Sequence, residues 1–294
     1  GDHLVIARAA FGPTRWVTDN LLPRFGIEVT AIDGRDLDAW KAAIQPNTKV
    51  FYFETPSNPT MELVDIAAVS ALAREHGIVS VCDNAMASPA LQRPLELGAD
   101  VVAHSATKLM DGQGRVLAGA IAGSADFIST KLLPYQRNTG PILSPFNAGV
   151  VLKGLETLHL RAHAQADNAM VVGRFLESRV PRINHPGLAS HPQFELAQRQ
   201  MAKCGSVFSF ELDGGRKAAH AFLDALELID ISNHFGDTKT LLCHNASTTH
   251  SSLSEETRLA MGVTQNLVRI SGALEDPEDL IADLEVTRGR GPVR

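Results

Sequence analysis

The stretch from Lys49 to Asp83, KVFYFETPSNPTMELVDIAAVSALAREHGIVSVCD, decides the fold of this chain. It opens on a β-rich apolar run at 49–53, crosses a proline-containing loop, enters a helical pattern and ends in a second β-rich run at 78–82. Within the helical part Asp65 is placed to cap. Ile66, Val69, Leu72 and Ala73 share one face, Arg74 and His76 fall in the last turn, and Gly77 stops it. Buried β-rich runs separated by single helices are the pattern of a parallel sheet covered on both faces.

Working outward, further β-rich runs stand at 4–7, 27–32 and 100–104, and a shorter helix at 37–44 is capped by Asp36 and closed by Pro46. From about Pro141 the texture changes. Residues 147–180 are Ala- and Leu-rich without an internal proline and predict one or two linked helices. A strand at 207–212, a helix at 216–229, a strand at 267–271 and a closing helix from Pro277 follow. The expected division is a large α/β domain over 1–146, a connecting helix over 147–180 and a smaller α+β domain over 181–294. The tail 288–294, with Gly289, Gly291 and Pro292, is expected to be loose.

Composition narrows the function. Of 294 residues 44% are hydrophobic and 20% charged, enough for a sizeable core, and the formal net charge of −6 offers no electrostatic reason for nucleic acid or an anionic membrane as partner. No apolar run reaches the roughly 20 residues of a membrane helix. Cys82, Cys204 and Cys243 lie far apart without CxxC spacing, which speaks against a disulfide framework or a zinc finger, and a cytoplasmic protein is expected.

Ligands of open α/β sheets bind at the carboxyl ends of the strands. There the sequence places Glu54-Thr55-Pro56-Ser57-Asn58-Pro59, Asp83-Asn84 and Ser105-Ala106-Thr107-Lys108, so one crevice gathers an acid, an amide, two hydroxyls and a lysine. A lysine one turn beyond a buried strand, with an aspartate at the end of a neighbouring strand, suits pyridoxal phosphate. That cofactor needs an amine to hold its aldehyde and a carboxylate to keep its ring nitrogen protonated. Taken singly, such a lysine is usually a solvated surface residue and such an aspartate a helix cap.

Taken together, the segments ETPSNP at 54–59, CDN at 82–84 and HSATK at 104–108 resemble the Cys/Met-metabolism family of pyridoxal-phosphate enzymes. The likeness continues through Gly140-Pro141, Ser144-Pro145-Phe146-Asn147-Ala148, LKGLETL at 152–158, LVRIS at 267–271 and EDPEDL at 275–280. Within the family, DGQGR at 111–115 and Phe11-Gly12 look most like the O-succinylhomoserine sulfhydrylases, many relatives having a tyrosine where Phe11 stands.

The resemblance implies a fold-type-I, pyridoxal-phosphate transferase-like α/β architecture: a mostly parallel sheet with helices on both faces, plus the smaller C-terminal domain. It implies that Lys108 holds the cofactor and then moves protons between the substrate α and β carbons. Asp83 would pair with the pyridinium nitrogen, Asn58 would lie near the ring hydroxyl, Ser105 and Thr107 would bind phosphate, and Phe11 would stack on the ring. Arg269 would clamp the substrate α-carboxylate, and His234 stands where relatives carry a serine or asparagine that helps seat it.

The implied reaction is γ-replacement of methionine biosynthesis: succinate leaves O-succinylhomoserine and sulfide adds, giving homocysteine. Cystathionine γ-synthase or γ-lyase activity is the rival within the family. The rival outside enzymes is an inactive fold acting as an interaction subunit, against which the intact Lys108, Asp83 and Arg269 speak.

The family also implies a homodimer or tetramer. It further implies that the chain starts late, ahead of which relatives hold a phosphate-cradling Ser-Gly-Met segment and a Tyr and Arg that reach the neighbouring subunit. No metal is expected: His159, His163, His185 and His191 show no spacing tied to a carboxylate. Cys82 reads as a small buried hydrophobe rather than a nucleophile.

Overall fold

A computed structural model describes residues 1–289. Six strands build the first sheet: β1 (His3–Ala7), β2 (Glu28–Ile32), β3 (Thr48–Glu54), β4 (Val79–Asp83), β5 (Val101–Ser105) and β6 (Gly119–Gly123). Their order is β2-β1-β3-β4-β5-β6, parallel throughout except for β6, which runs antiparallel to β5. The parallel strands therefore end on one edge, and Glu54, Asp83 and Ser105 are the last residues of three adjacent ones.

Local chemistry explains the pieces. The helix Ile66–Glu75 starts where the Asp65 carboxylate accepts from the Ala68 N–H at 3.0 Å. Its buried Ile66, Val69, Leu72 and Ala73 pack with Val5, Trp40, Phe51, Phe53 and Cys82 into one core, and Gly77, at φ 65°, turns the chain into β4. Asp36 likewise caps Leu37–Ala42, which ends two residues before the expected Ile44. The edge strand β6 was not legible, because Gly-Ala-Ile-Ala-Gly has little intrinsic strand preference; pairing to β5 creates it.

The second sheet has order β7-β8-β11-β10-β9, from β7 (Arg182–Asn184), β8 (Val207–Glu211), β9 (Asp230–Ile231), β10 (Leu241–His244) and β11 (Leu267–Ser271). It is antiparallel except for the β9–β10 pair. The expected strands at 207–212 and 267–271 are its centre. The expected helix at 216–229 is shorter, Gly215–Asp224. The long run at 147–180 resolves into two helices, Pro145–Glu156 and Leu158–Glu177, broken where Thr157 leaves helical backbone.

That second helix bridges the two cores. Leu158, Ala162 and Ala166 pack with Leu91, Leu109 and Met110 beside the first sheet, while Ala169, Val172 and Leu176 pack with Phe208, Phe210 and Ile270 of the second. Residues of the helix Phe194–Gln200 also join the first group, and Gln193 and Gln200 bond to the 55–66 loop. The closing helix runs Pro277–Gly289, so Arg288 and Gly289, expected in the loose tail, belong to it; the remainder of that tail, 290–294, lies outside the described residues. No helix among the described residues is long and apolar enough to cross a membrane.

Candidate active site

Glu54, Asp83 and Ser105 close three neighbouring strands, Lys108 follows the last of them, and Arg269 stands in the middle of β11. Beyond β5 the chain turns tightly: Lys108 N–H donates to Ser105 O, Asp111 N–H to Ala106 O and Gly112 N–H to Lys108 O. Ala106 and Leu109 are buried anchors of this turn, which leaves Lys108 pointing across the strand ends. A second loop presses on it from the other sheet. Gly236, at φ 76°, passes so close that a Cβ there would stand 2.7 Å from the Leu109 nitrogen. This approach sets the neighbouring Phe235 ring 4.7 Å from Lys108 Nζ and His234 Nδ1 3.0 Å from it.

Phe11, Asn58, Asp83, Ser105, Lys108 and Arg269 line one cavity of about 330 Å³. Thr107 and His234 do not; they line an adjacent cavity of about 550 Å³. The Thr107 hydroxyl donates to Ala118 O and accepts from the Ala118 N–H, stapling the lysine turn to the approach of β6. Its donor is therefore committed, and Ser105 is the hydroxyl of the expected phosphate pair that reaches the first cavity. His234, expected beside the substrate carboxylate, instead gives its backbone carbonyl to Arg269 and its ring to Lys108.

Electrostatics sharpen the arrangement. Burial, reinforced by the Arg269 charge, lowers the Lys108 amine to about 8. Burial raises the Asp83 carboxyl, opposed by the Ala85 N–H at 3.0 Å and the Tyr52 hydroxyl at 3.1 Å, both donating to it. Glu54 is raised well above the usual carboxylate range by burial first and by Asp83 second, although Phe11 N–H donates to it at 2.7 Å. Arg269 is 1% exposed in the middle of β11. Its Nη1 donates to Asn58 Oδ1 at 3.1 Å, and its Nη2 donates to the carbonyls of Asn233 and His234 at 2.9 and 2.8 Å. Its Nε is buried without a partner.

The donor set fits a pyridine aldehyde bearing a phosphate. It offers a half-buried amine with depressed basicity for the aldehyde, a buried carboxyl for a ring nitrogen, a hydroxyl at a strand end for phosphate, and an arginine with spare N–H groups for a second anion. Tyr52, Glu54, Asn233 and Phe235 belong to this site although the sequence pattern assigns them no role. For Glu54 a signal existed, since it ends a strand beside the one that Asp83 ends; Asn233 and Phe235 lie in a loop without periodicity. Among the described residues no group of three or more His, Cys, Asp or Glu is placed to hold a metal ion. Cys82 is fully buried, and burial pushes its thiol up.

Comparison with known proteins agrees with this chemistry. Residues 1–287 match the family described as Cys/Met metabolism PLP-dependent enzyme. The chain is 47% identical over 286 residues to an O-succinylhomoserine sulfhydrylase of Pseudomonas aeruginosa, covering 97% of this chain and 71% of that protein. It is 43% identical over 290 residues to an L-methionine γ-lyase of Treponema denticola, covering 97% and 72%. Among solved structures it is similar to cystathionine γ-lyase from Lactobacillus plantarum complexed with L-serine, with a TM-score of 0.94, 36% identity, and 98% and 76% of the two chains covered.

Proposed function

Because the chain belongs to the Cys/Met-metabolism family of pyridoxal-phosphate-dependent trans-sulfuration enzymes, which act on small amino-acid substrates, we propose that it catalyses γ-replacement on O-succinylhomoserine. In this reading sulfide displaces succinate and homocysteine is formed. The observation that carries it is Phe11: it lines the cavity of Lys108 but offers a ring without a hydroxyl. A carboxylate leaving group needs no proton from that position. The 47% identity to an O-succinylhomoserine sulfhydrylase supports the same substrate.

Bound pyridoxal phosphate would supply an electron sink for carbanions at the substrate α and β carbons. The chain's residues supply the rest. Asp83 would hold a proton at the ring nitrogen, and the raised carboxyl of Glu54 beside it would keep that end of the cavity from gathering two full negative charges. Asn58, held by Arg269, would serve the ring hydroxyl, Phe11 would stack on the ring, and Ser105 would donate to phosphate. Three of the five Arg269 N–H groups are held within the protein, which leaves Nε–H and one Nη1–H for the substrate α-carboxylate. Lys108, near 8, is neutral often enough at physiological pH to take a proton from carbon and charged often enough to return it.

The chain would work as a homodimer or tetramer: the helix Pro145–Glu156 turns Phe146, Leu152 and Leu155 to solvent, apolar surface that a second copy would cover. Its three free cysteines suit a reducing cytoplasm. Incubating the protein with pyridoxal phosphate and O-succinylhomoserine, first with sulfide and then with cysteine, tests the reaction. Homocysteine from the sulfide arm supports the proposal. Cystathionine as the dominant product, or a 2-oxo acid with ammonia in both arms, replaces it with γ-synthase or γ-lyase activity. No turnover by a cofactor-loaded protein leaves only the fold.

A further inference from the structure

His234 stands as a partition between two cavities. Its Nδ1 lies 3.0 Å from Lys108 Nζ, which lines the first cavity, while His234 is among the residues lining the second. The ring is held in place: His234 N–H donates to Ser232 Oγ at 3.1 Å, and the ring stacks on Phe235 with 24° between planes. Its Nε2 is buried and has no partner in the protein. Gly114 borders it without a side chain: a Cβ there would stand 3.8 Å from Nε2 and 3.2 Å from Asp237 Oδ2. Asp237 lines the second cavity too.

We propose that His234 is the proton port of Lys108, passing protons between the lysine amine and water in the second cavity while the first cavity is filled by substrate. This deepens the reading of Lys108 as the group that moves substrate protons, and rests on it. The lysine ammonium donates to Nδ1, so the neutral imidazole carries its own proton on Nε2. In the forward step an Nζ–H bond breaks as Nδ1–H forms, and the Nε2 proton passes to a water that enters from the second cavity between Gly114 and Asp237. Return of a proton to Nε2 and from Nδ1 to Nζ reverses it, and no other reactant is consumed. The charged groups facing the ring are Lys108 and Arg269 from the lysine turn and β11, Asp237 from its own loop, and Asp111, which is paired with Arg115. Burial and the Lys108 charge hold the imidazole below its ordinary range, so the doubly protonated ring is a passing state rather than a resting one.

Two experiments test this. In the cofactor-free chain, the His234 ring is titrated by NMR in the wild type and in Lys108→Gln. The titration midpoint rises when the neighbouring cation is removed; an unchanged midpoint overturns the contact on which the port depends. In cofactor-loaded protein, L-2-aminobutyrate, which has no leaving group, is incubated in D2O and deuterium at its α and β carbons is read by NMR per loaded site. His234→Asn slows the exchange at least tenfold and removes one ionisation from its pH profile, and Asp237→Asn slows it to a smaller degree. Exchange as fast as wild type with an unaltered profile in His234→Asn, or in His234→Gln if the first variant does not fold, overturns the proposal. Neither sulfide nor an acyl ester is used, so a different γ-substrate would leave this result standing.

Discussion

Glu54 and Asp83 are register partners at the carboxyl ends of β3 and β4, and both carboxyls line one cavity. Parallel pairing puts the two residues side by side, where burial raises both carboxyls and the Asp83 charge raises Glu54 further. In the cofactor-free protein the folded chain therefore binds more protons here than the unfolded chain does. Stability is full at or below the ordinary carboxylate range and falls as pH rises through the raised values. Thermal unfolding from about pH 4 to about pH 8 should show this decline, and Glu54→Gln should flatten it. An equally steep decline in Glu54→Gln would assign the slope to other groups.

Lys108 gives a second pH dependence of opposite sense. Only the neutral amine attacks an aldehyde, and burial and Arg269 lower this amine to about 8. Capture of pyridoxal phosphate, followed by its absorbance change, should accelerate with pH through a midpoint near 8. A midpoint in the ordinary lysine range would show that the amine is solvated.

Arg269→Lys retains charge but loses the fork that holds Asn58 and two carbonyls. Losing one or two charge-assisted hydrogen bonds at about 1.5–3 kcal/mol each raises KM for the amino-acid substrate at least tenfold. Steady-state kinetics check this, and a KM within twofold of wild type would remove Arg269 from the carboxylate site.

Gly236→Ala places a Cβ 2.7 Å from the Leu109 nitrogen at a positive φ of 76°. Overpacking and backbone strain together cost about 1–3 kcal/mol, read as a Tm lower by roughly 2–4 °C per kcal/mol. Because this contact seats Lys108, cofactor affinity falls along with stability. Calorimetry and absorbance titration on the same samples check both, and retained affinity would uncouple the glycine from the lysine turn.

Much of the fold is legible in the sequence. The strands at the heart of both sheets, the Asp65-capped helix and the carboxyl-end positions of Asp83, Ser105 and Lys108 follow from periodicity, capping and the crevice rule, because each is a local pattern imposed by one buried face. The segments ETPSNP, CDN and HSATK carried the family resemblance, and residues 1–287 match that family. What resisted reading was set by partners outside any one local pattern: β6 exists through its pairing to β5, Thr107 turns to Ala118 rather than to the cavity, and Arg269 meets Asn58 across 211 positions.

The amino-acid sequence by itself determined the parallel α/β core, the lysine and carboxylate of the site and the family chemistry. Only the tertiary structure decided that His234 touches Lys108, that Glu54 shares the cavity with Asp83, and that Thr107 and His234 open on a second cavity. The reason is physical: strand and helix patterns are written by neighbours in sequence. The approach of one loop to another, allowed here by Gly236 having no side chain, is written by the packing of two sheets that no local pattern encodes.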